Sequence, residues 1–342
     1  MMHKRKPLGI RILKGFYIFI VILSALIVAA FCVYKATVRP PEMEQKTPSI
    51  PSSSINGEEP VESGDAGNMT RRDGVYTFLL FGTDDGNGNT DTIMVGAYDT
   101  VQQTVNVVSV PRDTMIETSR ANKRINAVYA AGGVKELEEE LSDMLGIPID
   151  FYIQVDLKAF VAIVDAVGGV DFDVPVDMDY EDFVQDLYIH FKKGMQHLDG
   201  QKALELVRCR SAYVNQDIGR MQTQQAFLTA LAKKMLTIGN VSKVQEFAAI
   251  FNQYVETDLK LENIIWLGEH LLSMKMDHLS FQTIPIHGNS YMYESRAYVT
   301  LDMNQVVTMV NEKLNPYTTE LNLSDLDMIS VLNGKTVHSR NS

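Results

Sequence analysis

Only two cysteines stand in 342 residues, and they cannot pair. Cys32 falls inside an uncharged apolar run and Cys209 lies between two arginines, so the chain offers neither an intrachain disulfide nor zinc-ligand spacing. Positive charge is also short. Against 43 aspartates and glutamates there are 31 lysines and arginines, a formal net charge of −12. That excludes general affinity for nucleic acid but leaves room for a local basic pocket. No nucleophile-elbow sequence surrounds Ser290, so His287, Ser290 and Asp302 make no recognisable hydrolase triad. His190 and His197 sit in a polar stretch without metal spacing. There are no internal repeats. A domain without disulfides must be held by its apolar core, and a chain of this length buries enough surface for one.

The chain opens with a basic stretch, residues 1–15, carrying Lys4, Arg5, Lys6, Arg11 and Lys14. Residues 16–34, FYIFIVILSALIVAAFCVY, then run without a charge, long enough to cross the hydrocarbon core as a helix. The basic excess ahead of it places residues 1–15 in the cytoplasm and everything after Tyr34 outside. A cleaved signal peptide would have a shorter apolar core and a small-residue cleavage site, and neither is present. So short a cytoplasmic tail cannot hold a DNA-reading motif. Residues 35–72 are rich in Pro, Ser, Glu and Gly, with few large apolar groups to bury, and read as a disordered tether.

From residue 73 to 320 apolar strands alternate with helical patterns. YTFLLFG (76–82) is a continuous apolar run ending in Gly, as expected of a strand buried on both faces. Strands are also expected over 92–98, 104–110, 151–156, 170–175 and 281–286. Helices are expected over 134–145, 157–167, 217–236, 241–254, 261–274 and 303–315, the first stopped by Gly146 and Pro148. Residues 178–194 read as an irregular excursion. The pattern predicts an α/β fold: a layered α-β-α domain with a central mixed sheet, preceded by the transmembrane helix. Residues 321–342 read as a polar tail.

The densest chemistry lies in Leu204–Gln225, LELVRCRSAYVNQDIGRMQTQQ. LELVRCR alternates and reads as extended, which would place Arg208 and Arg210 on one face. Asp217, Arg220 and Gln224 fall at steps of three and four, one stripe of a helix, with Asp217 at the N-cap position. Two guanidiniums at a strand end and a third at a helix start suit a doubly phosphorylated or pyrophosphate group. The same residues also fit surface charges on an edge strand and a routine helix pair. Asp84 and Asp91 flank a Gly- and Asn-rich loop at strand ends, where carboxylates can hold a hard cation such as Mg²⁺; Asp85 could replace either. On spacing alone, an ordinary turn is the simpler account. Arg112 follows Pro111 at a strand's carboxyl end, where ligands of open α/β sheets gather. A salt bridge to Asp113 would explain it equally. The 17 methionines suit core gaps, or an adaptable apolar pocket for a long flexible lipid.

Taken together, LLFGTD ending at Asp84, TDT around Asp91, VPRD through Asp113, RINAVYAAGG from Arg124, VGGVDFDVP at 167–175, GMQHLDGQKALELVRCR at 194–210 and DIGRMQTQQ at 217–225 resemble the LytR-CpsA-Psr family. The likeness covers residues 75–236, and the anchor and tether match the family's plan. The resemblance implies an extracytoplasmic transferase that moves an anionic glycopolymer from a polyprenyl-pyrophosphate carrier to peptidoglycan through a phosphodiester. It implies Mg²⁺ on Asp84 and Asp91. Pyrophosphate would be bound by Arg112, Arg124, Arg208, Arg210, Arg220 and Gln224, and Arg112, Asp91 and Asp217 would be the catalytic groups. Arg124 stands where a lysine is usual and Thr223 where an arginine is common. The muramic acid C6 hydroxyl would attack, with Asp91 or Asp217 accepting its proton. Two alternatives share these residues: a polyprenyl-pyrophosphate hydrolase, and a non-enzymatic envelope-binding or regulatory protein.

Overall fold

The structure, a computed structural model, describes residues 37–43, 69–83, 89–183, 187–213, 217–237, 241–332 and 335–339. The stretch expected to cross the membrane, most of the tether, and Asp84 and Asp85 lie outside the described residues. Among the described residues, no helix is long and apolar enough to cross a membrane.

In chain order the strands are β1 (Val75–Thr83), β2 (Thr90–Asp99), β3 (Thr104–Ser109), β4 (Phe151–Val155), β5 (Val170–Val174), β6 (Met178–Asp182), β7 (Leu187–Phe191), β8 (Gly194–Leu198), β9 (Glu256–Thr257), β10 (Leu279–Thr283), β11 (Ile286–Tyr293), β12 (Arg296–Leu301), β13 (Ile329–Leu332) and β14 (Lys335–His338). The α-helices are α1 (Val128–Leu145), α2 (Leu157–Ala166), α3 (Gly200–Arg208), α4 (Asp217–Thr237), α5 (Val241–Tyr254), α6 (Leu261–Leu272) and α7 (Met303–Lys313).

A six-stranded sheet in the order β10-β3-β2-β1-β4-β9 forms the centre. β1 pairs in parallel with β4, and β3 with β10, while β2 and β9 run against their neighbours. The sheet is therefore mixed, as expected. The carboxyl ends of β1, β3, β4 and β10 and the start of β2 share one edge.

Alternation along β1 explains the layering. Leu79 and Phe81 point to one face, where they pack with Leu137, Leu141 and Leu145 of α1 and Val306 and Val310 of α7. Phe78 and Leu80 point to the other face, toward Leu267 and Trp266 of α6. Burial on both sides is why the strand reads as an unbroken apolar run. A second core lies beside the sheet. It joins Phe172 of β5 and Ile189 of β7 to Leu206 of α3 and Phe227 of α4. Aspartates set three helix starts: Asp156, Asp199 and Asp302 accept from the backbone N–H groups of Ala159, Lys202 and Gln305 at 2.6, 2.9 and 3.1 Å. Gly146, at φ +68°, closes α1 in the left-handed conformation that favours glycine.

Several expectations need correction. LELVRCR is not a strand: residues 200–208 are helical, and Arg208 is the last residue of α3. The Asp199 cap and the helix-forming Gln, Lys, Ala, Leu and Glu residues outweigh a short alternation that either period can satisfy. Within residues 178–194, β6 and β7 pair as regular antiparallel strands, Asp179 opposite His190 and Glu181 opposite Tyr188, and the inward Leu187, Ile189 and Phe191 are buried. The expected polar tail packs onto the domain. Leu321, Leu326 and Met328 join the core under α1, and β13 pairs with β14. The tether is also not loose at its start, because Asn263 Nδ2 donates to the carbonyl of Arg39 at 3.1 Å and Met43 packs against the α6 face of the sheet.

Candidate active site

Asp91 sits at the start of β2, at the edge where the parallel strands end. Its two oxygens receive guanidiniums from different parts of the chain. Arg112, just past β3, donates from Nη1 to Oδ1 at 2.7 Å, and Arg210 donates from Nη2 to Oδ2 at 3.1 Å. Burial alone would raise the Asp91 carboxyl. The Arg112 hydrogen bond and the charges of Arg210, Arg112 and Arg220 outweigh it and hold the group below the usual carboxylate range. Arg220, only 3% exposed, stands on the first turns of α4.

The backbone around Arg112 is tightly pinned. Met115 N donates to Val299 O at 2.9 Å, Val299 N to Asp113 O at 2.9 Å, and Ile125 N to Thr114 O at 3.0 Å. Arg124 lies across this seam. Its Nε and Nη2 donate to the Ala297 carbonyl at 3.2 and 2.8 Å, its Nε lies 3.3 Å from Asp113 Oδ1, and its guanidinium covers the Tyr298 ring at 5.6 Å. Asp113 also lies 3.9 Å from Arg112 Nε. A chain of alternating charge therefore runs from Arg124 through Asp113 and Arg112 to Asp91.

α4 is locked to its neighbours by two adjacent glutamines. Gln224 Nε2 donates to Val207 O at 3.0 Å, tying α4 to the end of α3. Gln225 Nε2 donates to Ser109 Oγ and Thr283 Oγ1 at 2.9 and 3.0 Å, tying it to the ends of β3 and β10. Tyr213 lies along the same helix. Its hydroxyl meets Thr223 Oγ1 at 2.6 Å, and its ring passes so close to Gly219 that a Cβ there would fall 2.5 Å from it.

The structure thus brings Arg112, Arg210 and Arg220 around Asp91. Arg208 is half-buried at the end of α3, one residue before the buried Cys209. Asp217 opens α4. Sequence pattern missed Gln225 and Tyr213 as site-building residues, while the salt bridge of Arg112 to Asp113 was among its readings. The only signal for Gln225 was its place beside Gln224.

Under the sheet lies an apolar cavity of about 400 Å³. Phe78, Leu80 and Val107 line it from the strands, and Leu231, Phe251 and Leu267 from the helices. This falls within the range of ordinary ligand pockets. Leu228, Leu231 and Met235 of α4 line it as well, so one helix carries Arg220 at its start and the cavity wall further along.

The chain belongs to the LytR_cpsA_psr family, whose model matches residues 42–315. It is 33% identical over 238 residues to the polyisoprenyl-teichoic acid–peptidoglycan teichoic acid transferase TagV of Bacillus subtilis (strain 168), covering 65% of this chain and 61% of that protein. It is 36% identical over 188 residues to the polyisoprenyl-teichoic acid–peptidoglycan teichoic acid transferase TagU of Bacillus cereus (strain AH820), covering 54% and 60%. The chain thus spans about three fifths of the length of these relatives. The crystal structure of B. subtilis TagV superposes with a TM-score of 0.60 at 29% identity, over 69% of this chain and 94% of that one.

Proposed function

We propose that this protein is a membrane-anchored extracytoplasmic transferase. It moves an anionic glycopolymer from a polyprenyl-pyrophosphate carrier to peptidoglycan, leaving a phosphodiester link. The observation that carries this reading is the convergence of Arg112, Arg210 and Arg220 on Asp91 at the strand ends. A diphosphate supplies the oxygens that guanidinium forks grip in pairs. The names of TagV and TagU support the substrate class. The apolar cavity beside α4 suits the polyprenyl chain.

In the proposed reaction an acceptor hydroxyl, the muramic acid C6 hydroxyl, attacks the phosphorus that bears the glycopolymer. The new P–O bond forms as the bond to the bridging oxygen breaks, and the electron pair leaves on polyprenyl phosphate. Arg208, Arg210 and Arg220 hold the diphosphate, and Arg112 faces the phosphorus under attack. Arginines fixed in place before reaction stabilise the charge that develops on the leaving group. Arg124 braces Arg112 through Asp113, and Gln224 fixes α4 against α3. Asp91 or Asp217 would accept the hydroxyl proton.

A hard cation belongs to the same proposal. Asp91 is ionised at the strand end, and Mg²⁺ typically takes one or two carboxylates together with substrate phosphate oxygens and waters. Asp91 and Asp84 would hold it, and it would neutralise phosphate charge. Residues 16–34 form the proposed anchor, with the N-terminus inside.

The test is transfer of radiolabelled lipid-linked polymer to peptidoglycan by the purified full chain. Label in the peptidoglycan supports the reading. Polymer released equally with and without acceptor would make the protein a hydrolase instead.

A further inference from the structure

Residues 37–43 lie against α6, through the hydrogen bond from Asn263 Nδ2 to the Arg39 carbonyl at 3.1 Å and the packing of Met43 among Leu259, Trp266 and Leu271. Five Cα–Cα steps, across four intervening residues, join Tyr34, the end of the uncharged stretch, to Arg39. Fully extended, they reach at most about 18 Å. If residues 16–34 span the bilayer, as proposed above, the start of α6 cannot stand further than that from its outer face.

What α6 presents there fits a lipid surface. At the start of α6, Leu261 is 41% exposed. Lys260, just before it, and Arg39 are exposed as well. Basic side chains are among the groups that settle at the headgroup level. Of the nearby acids, Glu42, Glu256 and Asp258 are exposed and Glu262 is half-buried; Asp258 accepts the Tyr152 N–H at 3.0 Å along the sheet edge.

The position of α6 relative to the site gives this a consequence. α6 crosses the sheet at the end opposite the arginines. Trp266 packs edge-on to Tyr76, near the start of β1, at 5.9 Å, and Ser273 Oγ accepts from Gln103 Nε2 at 3.1 Å, before β3 begins. α4 links the two ends. From Arg220 to Leu236 it rises about 24 Å, at 1.5 Å per residue. The cavity lies between, walled by Leu228 and Leu231 of α4 and by Leu267 and Leu271 of α6.

We infer that the start of α6, with Lys260 and Leu261, rests on the outer leaflet of the bilayer, held there by the 37–43 strap. The domain stands with its arginine end away from the membrane. A lipid tail in the cavity then points back to the bilayer, and its diphosphate is offered on the wall side. This surface rests on the membrane anchor proposed above.

The test uses the full chain in a Cys32→Ser background, with Leu261→Cys or Met292→Cys carrying an environment-sensitive fluorophore. Met292 is 60% exposed on the β11–β12 hairpin, beyond the arginine end of the sheet. Each protein is reconstituted into phosphatidylcholine–phosphatidylglycerol vesicles with headgroup-level spin-labelled lipid. The label at 261 is expected to lose most of its fluorescence and the label at 292 to keep it. Asn263→Ala with Met43→Ser, which release the strap, should restore much of the signal at 261. Vesicle-bound protein with no quenching at 261, or with equal quenching at both sites, overturns the orientation and leaves the transferase reading standing. Protein that does not float with the vesicles overturns the anchor, and this surface with it.

Discussion

Asp91 and Arg210, 119 residues apart in sequence, meet at 3.1 Å at the end of the central sheet. Arg112 takes the other oxygen of the same carboxylate at 2.7 Å. One acid therefore organises cations from a strand end and from the segment between two helices, while Arg220 adds its field from α4. Like charges repel unless a counter-charge holds them. Asp91 supplies that counter-charge to Arg112 and Arg210.

Arg112→Ala and Arg210→Ala are expected to lower transfer by roughly 10²–10³-fold each, the usual cost of removing one preorganised charge contact. Neither side chain belongs to the apolar core, so far-UV circular dichroism and thermal melting should stay close to wild type. Single-turnover transfer of labelled lipid-linked polymer checks the effect. Near-wild-type rates in both variants would remove the arginine cluster from the mechanism.

Arg124→Lys keeps the charge but not the fork. Lysine cannot donate twice to Ala297 O while facing Asp113 and covering Tyr298. The expected result is transfer reduced by about tenfold, for a contact worth about 1.4 kcal/mol to the transition state. The loss should fall on kcat, because Arg124 acts through Arg112. Full activity in the lysine variant would show that charge alone suffices.

The sheet and most helices were legible because their signals are long or redundant. YTFLLFG can be buried on two faces only as a central strand, and α2 and α7 begin behind aspartates that cap them. LELVRCR was misread because Leu204 and Leu206 are buried in a helix as they would be in a strand, and so short a run does not separate the two periods. The 321–339 segment was missed because its buried groups, Leu321, Leu326 and Met328, are few and are spaced among polar residues. At the site, residue types pointed to Arg112, Arg210 and Arg220. The brace from Arg124 to Ala297 spans 173 residues and leaves no local pattern to read.

Asp150 joins the segment just before β1 to the sheet. Its side chain is 3% exposed and accepts from Arg71 at 2.5 and 2.7 Å, and from Thr77 N and Oγ1 at 2.8 and 2.9 Å. Asp150→Ala would strand a largely buried guanidinium and two donors. The expected cost is about 3–5 kcal/mol, a fall in melting temperature of roughly 10 °C or more. Replacing both partners, Arg71→Met with Asp150→Leu, should recover part of that loss. Thermal denaturation of the single and double variants checks both statements.

Glu140 on α1 sets a pH dependence. Burial pushes its carboxyl up to about 7, and the charges of Asp327, Asp143 and Glu136 push the same way against Arg120. Arg120 is itself paired with Glu136. The β13–β14 segment is part of this cluster, since Asp327 N donates to Asp143 O at 2.8 Å. The unfolded chain ionises Glu140 at ordinary carboxylate pH, while the folded one keeps the proton until near neutrality. Between those two values the folded state holds more protons, so stability falls as pH rises from about 4.5 to about 7. Above that window the ionised group should cost on the order of 2 kcal/mol, allowing for its partial exposure. Glu140→Gln keeps the shape and removes the charge. It should leave the melting temperature unchanged at pH 4 and raise it by roughly 4–8 °C at pH 8. Melting curves across that range check the slope, and an equal shift at both pH values would mean that burial of the ionised carboxyl is not its cause.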